Sequence, residues 1–84
     1  MNEIVKRSKE IIKNSKWSDT VIPELEVGEE VEINDLWDGN GKVPEDSYSY
    51  QLDEENWIDY RFEVVEKAEN PLDTKIKITA IELV

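Results

Sequence analysis

The stretch WIDYRFEVVEKAENPLDTKIKITAIELV, Trp57 to Val84, decides the fold of this chain. Ile58, Tyr60, Phe62 and Val64 fall on one side of an extended backbone while Asp59, Arg61 and Glu63 fall on the other, the period-two pattern of a half-buried strand. Val65 breaks the alternation and marks an irregularity before Glu66 and Lys67. Past a corner at Glu69-Asn70-Pro71-Leu72-Asp73, Ile76, Ile78 and Ala80 alternate with Lys75, Lys77 and Thr79. Two long antiparallel strands, about 57–66 and 74–83, follow from this pattern. The ending Ala80-Ile81-Glu82-Leu83-Val84 is apolar on both faces, which either separate covers or a bulge that swaps the faces accommodates.

Upstream, Tyr48, Tyr50 and Leu52 alternate with Ser49 and Gln51, predicting a strand over 48–52, closed by the acidic turn Asp53-Glu54-Glu55-Asn56. Leu25 and Val27, then Val31 and Ile33, alternate with glutamates around Gly28, predicting a hairpin of strands 24–27 and 30–34. Asn34-Asp35-Leu36-Trp37 suits a helical turn, and Asp38-Gly39-Asn40-Gly41-Lys42 is the most turn-prone pentapeptide of the chain. At the N-terminus Asn2 is a helix cap. Over residues 3–16, Ile4, Val5, Ser8, Ile11, Ile12 and Ser15 share one arc, with Lys6, Lys9, Lys13 and Lys16 opposite. A basic amphipathic helix can also serve membranes or nucleic acid, but this apolar stripe is narrow, lacks aromatics and has a sheet to cover. The expected architecture is a single α+β domain spanning 1–84, an N-terminal amphipathic helix packed on an antiparallel sheet of four to five strands. Its expected core is Ile4, Ile11, Ile12, Val31, Ile33, Tyr60, Phe62, Val64, Ile76 and Ile78.

Charge is the sharpest compositional fact. The 84 residues carry a net −11, and residues 17–59 hold fourteen acids against one base, Lys42, a net −13. Such a field repels nucleic acid and anionic membrane and attracts basic surfaces. The basic N-terminal helix is the alternative, internal counterion. With no cysteine and no histidine, the commonest nucleophile, general base and zinc ligands are absent. A domain this small offers little room for a deep substrate cleft, so the expectation is a protein that is not an enzyme and takes no cofactor or metal. Asp38 and Asn40 match the first and third positions of a calcium loop, but Lys42, Val43 and Pro44 break it where its geometry is set. Asp35 with Asp38, or Asp53 with Glu54 and Glu55, has the chemistry for hydrated magnesium, yet neighbouring acids in turns are normally just solvated. No apolar run approaches the roughly 18 residues of a membrane span, and Glu3, Lys6 and Arg7 interrupt any signal-like run. A cytoplasmic location is expected, consistent with the lack of cysteine.

The runs Leu25 to Trp37, Phe62 to Glu66 and Lys77 to Glu82 resemble those of small proteins encoded by phages and mobile elements, and the size and acidity are similar to anti-CRISPR proteins. That resemblance implies a DNA-mimic inhibitor in a host cytoplasm, occupying the basic nucleic-acid channel of a Cas nuclease. The residues expected to face a basic, nucleic-acid-binding partner are Glu24, Glu26, Glu29, Glu30, Glu32, Asp35, Asp38, Glu45, Asp46, Asp53, Glu54, Glu55 and Asp59. Trp37 and Tyr48 are the candidate aromatic anchors; the plainer role for the aromatics is closing the small core. The mimicry reading needs these carboxylates to converge on one negative surface. The competing reading is a structural or assembly module of a phage or mobile element, homodimeric through an exposed edge strand.

Overall fold

The computed structural model describes residues 2–84. Helix α1 (Glu3–Lys13) is followed by a long irregular segment, then β1 (Glu30–Glu32), α2 (Ile33–Leu36), β2 (Ser47–Gln51), β3 (Trp57–Glu66), a 3-10 turn (Pro71–Asp73) and β4 (Lys75–Leu83). The four strands form one antiparallel sheet in the order β1-β4-β3-β2.

Helix α1 forms as its sequence dictates. Asn2 caps it through its side-chain oxygen, which accepts from the amides of Ile4 at 2.8 Å and Val5 at 3.4 Å. Its buried stripe is Val5, Ser8 and Ile12, flanked by the half-buried Ile4 and Ile11. Ser8 is enclosed without penalty because its hydroxyl donates to the Ile4 carbonyl at 2.7 Å. The helix stops at Lys13, three residues short of the expectation. There the side chains of Asn14 and Ser15 donate back to the carbonyls of Glu10 and Ile12, competing with continued helix.

Two bulges adjust the central pair. One falls between Val64 and Glu66, so Val65 is the extra residue that breaks the alternation. The other leaves Thr79 unpaired between the Phe62–Ile78 and Arg61–Ala80 pairs. This second bulge decides the question left open at the end of β4: it swaps the faces, and Ile81 turns to the core beside Ile76 and Ile78.

The predicted strand 24–27 does not form. Gly28, at φ +94°, turns the chain so that its amide donates to the Ile78 carbonyl, and Ile78 donates back to Glu29, leaving β4 no ladder position for a further strand. Leu25 is nonetheless buried, and Val27 is exposed. The segment before β1 therefore acts as a strap across the core, with Ile22 and Leu25 as plugs and the Pro23 carbonyl accepting from the Tyr60 hydroxyl at 2.7 Å.

Of the expected core, Ile12, Ile33, Tyr60, Phe62, Ile76 and Ile78 are buried, and Ile4, Ile11 and Val31 are half-buried. Val64 is the correction: it is 51% exposed, because β2 ends its pairing with β3 at Arg61 and leaves Val64 with a strand neighbour on the β4 side alone. The remaining core comes from Val5, Ile22, Leu25, Leu36, Tyr50, Leu52, Ile58 and Ile81.

Candidate partner-binding surface

The sheet has one covered face and one open face. Cross-strand register places Glu30, Lys77 and Glu63 in one row of the open face and Glu32, Lys75 and Glu66 in the next. Each lysine of β4 thus stands between glutamates of its neighbours, an arrangement that relieves the repulsion a purely acidic face would suffer. Further along come Ala80, Arg61 and Ser47, then Glu82, Asp59 and Ser49. The open face is a mixed-charge ladder rather than an acidic sheet.

Asp59 is largely withdrawn from solvent, at 9% exposure. Its carboxylate accepts from Ser49 Oγ at 3.0 Å and from Arg61 Nε at 3.1 Å. The Asp59 carboxylate, together with Glu82 and Asp46, raises the Arg61 guanidinium further above its ordinary value. Asp59 therefore works inside the sheet instead of presenting charge to a partner.

The other predicted site residues fall into separate groups. Glu30, Glu32 and Asp35 border a shallow depression with Lys75 at the β1 edge, and Asp35 accepts from the Glu32 amide at 3.0 Å to cap α2. Glu24 is paired with Lys9 of α1, while Glu29 accepts from the Glu26 amide at 3.1 Å across the Gly28 turn. Glu29, Glu30 and Glu32 thus lie at the β1 edge, and Glu24 lies against α1. Three strand spacings, about 14 Å, separate that edge from β2.

The β2 side is more uniformly anionic. Residues 37–56, which lead from the end of α2 into β2 and on into β3, hold six acids and a single base. Before the strand, the loop folds onto itself: Trp37 Nε1 donates to the Asn40 carbonyl at 2.9 Å, and Asp38 accepts from the Asn40 amide at 3.0 Å and from the Tyr48 hydroxyl. Gly39 and Gly41 supply the positive φ angles, +92° and +72°, that this tight loop requires. Partial burial works to raise the Asp38 carboxyl, but the bonds from Tyr48 and Asn40 outweigh it and hold the group below the usual carboxylate range. Burial and the adjacent Asp38 push the Tyr48 hydroxyl up to about 12. Trp37 and Tyr48 are both half-buried, so each is tied down on one flank. Glu45 and Asp46 are exposed immediately before β2.

Beyond the strand, Asp53 orders the β2–β3 turn by accepting from the Glu55 and Asn56 amides at 2.8 and 2.7 Å. Bonds from the Asn56 side chain and the Glu55 amide lower its carboxyl. Glu54 and Glu55 are exposed there, Glu54 meeting Lys16 at 2.8 Å, and the turn faces Asn14 to Trp17 across a shallow groove. No protein-family profile, curated protein or solved structure matches the chain. The surface must be read from its own chemistry.

Two features escaped the sequence reading. Trp57 is 42% exposed at the start of β3, in register with Gln51. Its phase gives the signal, since it shares parity with Asp59, Arg61 and Glu63 and so belongs to the open face. The second is that β2, pairing with β3 alone, is an edge strand. Among the described residues no three metal-ligating side chains converge to hold an ion, and no helix is long and apolar enough to cross a membrane.

Proposed function

We propose that this chain is a non-enzymatic binding protein that engages a basic, nucleic-acid-binding protein through the acidic surface flanking β2. The observation that carries the reading is the segregation of charge in residues 37–56, where six acids bracket an edge strand with only Lys42 among them in sequence. Of the other nine bases, Lys16 meets Glu54, four more lie in positions 6–13, Arg61, Lys75 and Lys77 stand among the acids of β3 and β4, and Lys67 follows β3. Exposed carboxylates concentrated in this way steer a cationic partner and speed association. The half-buried Tyr48 and Trp37 and the exposed Trp57 add apolar area near the same strand for holding it.

Inhibition follows from competition. A groove whose lysines and arginines hold a phosphate backbone loses its nucleic acid when carboxylates occupy it. In its most specific form the partner is a Cas nuclease and the chain is an anti-CRISPR inhibitor. The separation of the β1-side glutamates from the β2 side narrows the contact surface to Asp38, Glu45, Asp46, Asp53, Glu54 and Glu55.

The test compares two charge reversals in a binding assay against nucleic-acid-binding proteins captured from the host at low salt. Reversal of Glu45, Asp46 and Glu55 to lysine is expected to abolish capture and restore the captured protein's nucleic-acid binding. Reversal of Glu30 and Glu32 is expected to leave both largely intact. Equal capture by all three proteins, insensitive to salt, would sink the reading.

A further inference from the structure

The two edges of the sheet are built differently. β1 is three residues long, carries two glutamates, and has the outward amide of Glu32 occupied by the Asp35 carboxylate. Short, charged, self-capped edges resist pairing with other chains. β2 has none of these defences. Its five residues, Ser47-Tyr48-Ser49-Tyr50-Gln51, include no charge, no proline and no bulge, in a chain of which 37% of residues are charged.

Hydrogen bonding fixes which backbone groups of β2 look outward. Phe62 donates to the Asp46 carbonyl at 3.0 Å and Leu52 donates to the Asn56 carbonyl at 2.8 Å. Both pairs belong to the register in which Tyr48 faces Tyr60 and Tyr50 faces Ile58. In an antiparallel ladder, hydrogen-bonded pairs recur every second residue. Tyr48 and Tyr50 therefore bond to β3, and Ser47, Ser49 and Gln51 turn their N–H and C=O groups to the free edge.

We infer that this free edge of β2 receives an extended segment of a partner protein as a fifth strand, and that the segment has an uncharged, strand-forming middle with basic residues at both ends. The inference rests on the proposed acidic binding role and supplies its mode of docking. Its occupant is set by charge. The edge is about 17 Å long, with Asp38, Glu45 and Asp46 before it and Asp53, Glu54 and Glu55 after it. A second copy of this chain fits poorly. Antiparallel pairing of β2 with its own copy sets the 53–55 turn of each beside residues 45–46 of the other, acid against acid. A segment with lysine or arginine at each end meets opposite charge at both, while backbone bonds to Ser47, Ser49 and Gln51 supply the hold.

The test uses the full chain and a synthetic nine-residue peptide with a Val-Thr-Val-Thr-Val middle and a Lys-Arg pair at each end. The expected result is protection of the Ser47, Ser49 and Gln51 amides from hydrogen exchange. A peptide of the same charge with a central proline, one with glutamates at the ends, and one N-methylated along its bonding edge are each expected to fail. Ser49→Pro removes an outward donor that takes no bond from β3, and weakens peptide binding by about tenfold or more. Ser49→Ala, which keeps the backbone and loses the same hydroxyl, binds as the parent chain does. Unchanged edge amides at millimolar peptide, equal binding of the N-methylated peptide, or a sedimenting dimer with Ser49 protected in the absence of peptide would each overturn the inference. Should Ser49→Pro still capture basic proteins in a salt-dependent manner with undiminished affinity, the acidic reading stands and strand addition falls.

Discussion

Tyr48 and Tyr60 show how single hydroxyls tie irregular segments to the sheet. Burial, first, and then the Asp38 charge raise the Tyr48 hydroxyl from its ordinary value of 10 to about 12. A folded-state value above the unfolded one means that the neutral phenol contributes stability fully below pH 10, and that this is lost as pH rises toward 12. The expected outcome is tyrosinate absorbance that stays low to about pH 10 and then climbs together with loss of the folded circular dichroism signal. Free titration of all three tyrosines near pH 10 in a folded chain would contradict it. Tyr60 is fully buried and donates to Pro23, so Tyr60→Phe keeps the ring and loses one bond. Its expected cost is about 0.5–1.5 kcal/mol in urea denaturation. The burial of Tyr60 was legible in the sequence from its phase with Phe62, but its partner was not. The bond to Pro23 spans 37 positions, and nothing local in either segment announces it.

At the scale of elements, β3 was legible to its ends because the alternation over residues 57–64 leaves no competing period, and Val65 announced its bulge. The strap at 24–27 was not legible. Leu25 and Val27 alternate with glutamates as a strand would, yet whether such a segment pairs depends on a ladder position being free, and Gly28 and Glu29 already take the bonds of Ile78. The acidic groups were legible as a composition, whereas their division between the β1 and β2 sides follows from strand order, which sequence does not disclose. Thr79 carries the most consequence for its size. The ladder skips it, so Ala80 pairs with Arg61 and Ile81 with Tyr60; if Thr79 paired with Arg61 instead, Ile81 and Leu83 would turn outward while Ala80 and Glu82 turned to the core. Deletion of Thr79 keeps every pair of this register and is therefore expected to leave unfolding cooperative, and Thr79→Ala, exposed and unpaired, is expected to stay within about 0.5 kcal/mol of the parent. A deletion variant that loses cooperative unfolding would show that the bulge itself, and not only the facing it produces, holds β4 in place.

Across the whole molecule, charge acts over distances comparable with its dimensions of 39 × 24 × 17 Å. At 0.01 M salt the Debye length is about 30 Å, so nearly every carboxylate senses the others; at 0.15 M it is about 8 Å and only neighbours interact. Two effects then oppose each other as salt is added. Screening weakens exposed pairs such as Lys16–Glu54, each worth about 0–1 kcal/mol, and it also relieves the self-repulsion of a chain at net −11. With twenty-one acids and ten bases, repulsive pairs outnumber attractive ones, so the melting temperature is expected to rise with sodium chloride over this range. Acid acts on the same balance from another side. Protonation of carboxylates from pH 7 toward the isoelectric point near 4.3 removes repulsion and raises stability. Asp38 and Asp53 then reverse the trend, because their folded-state carboxyls are held below the ordinary value of 3.8. Their contribution is present above that value and is lost as pH falls through the lowered ones. Thermal melts across pH 2.5–7 are accordingly expected to show a maximum between about pH 4 and 6, with the acid limb flattened by Asp53→Asn. A melting temperature that falls steadily from pH 7, or that drops on adding salt, would mean that the molecule's own lysines already offset the acids, and the surplus of negative charge on which partner attraction depends would be gone.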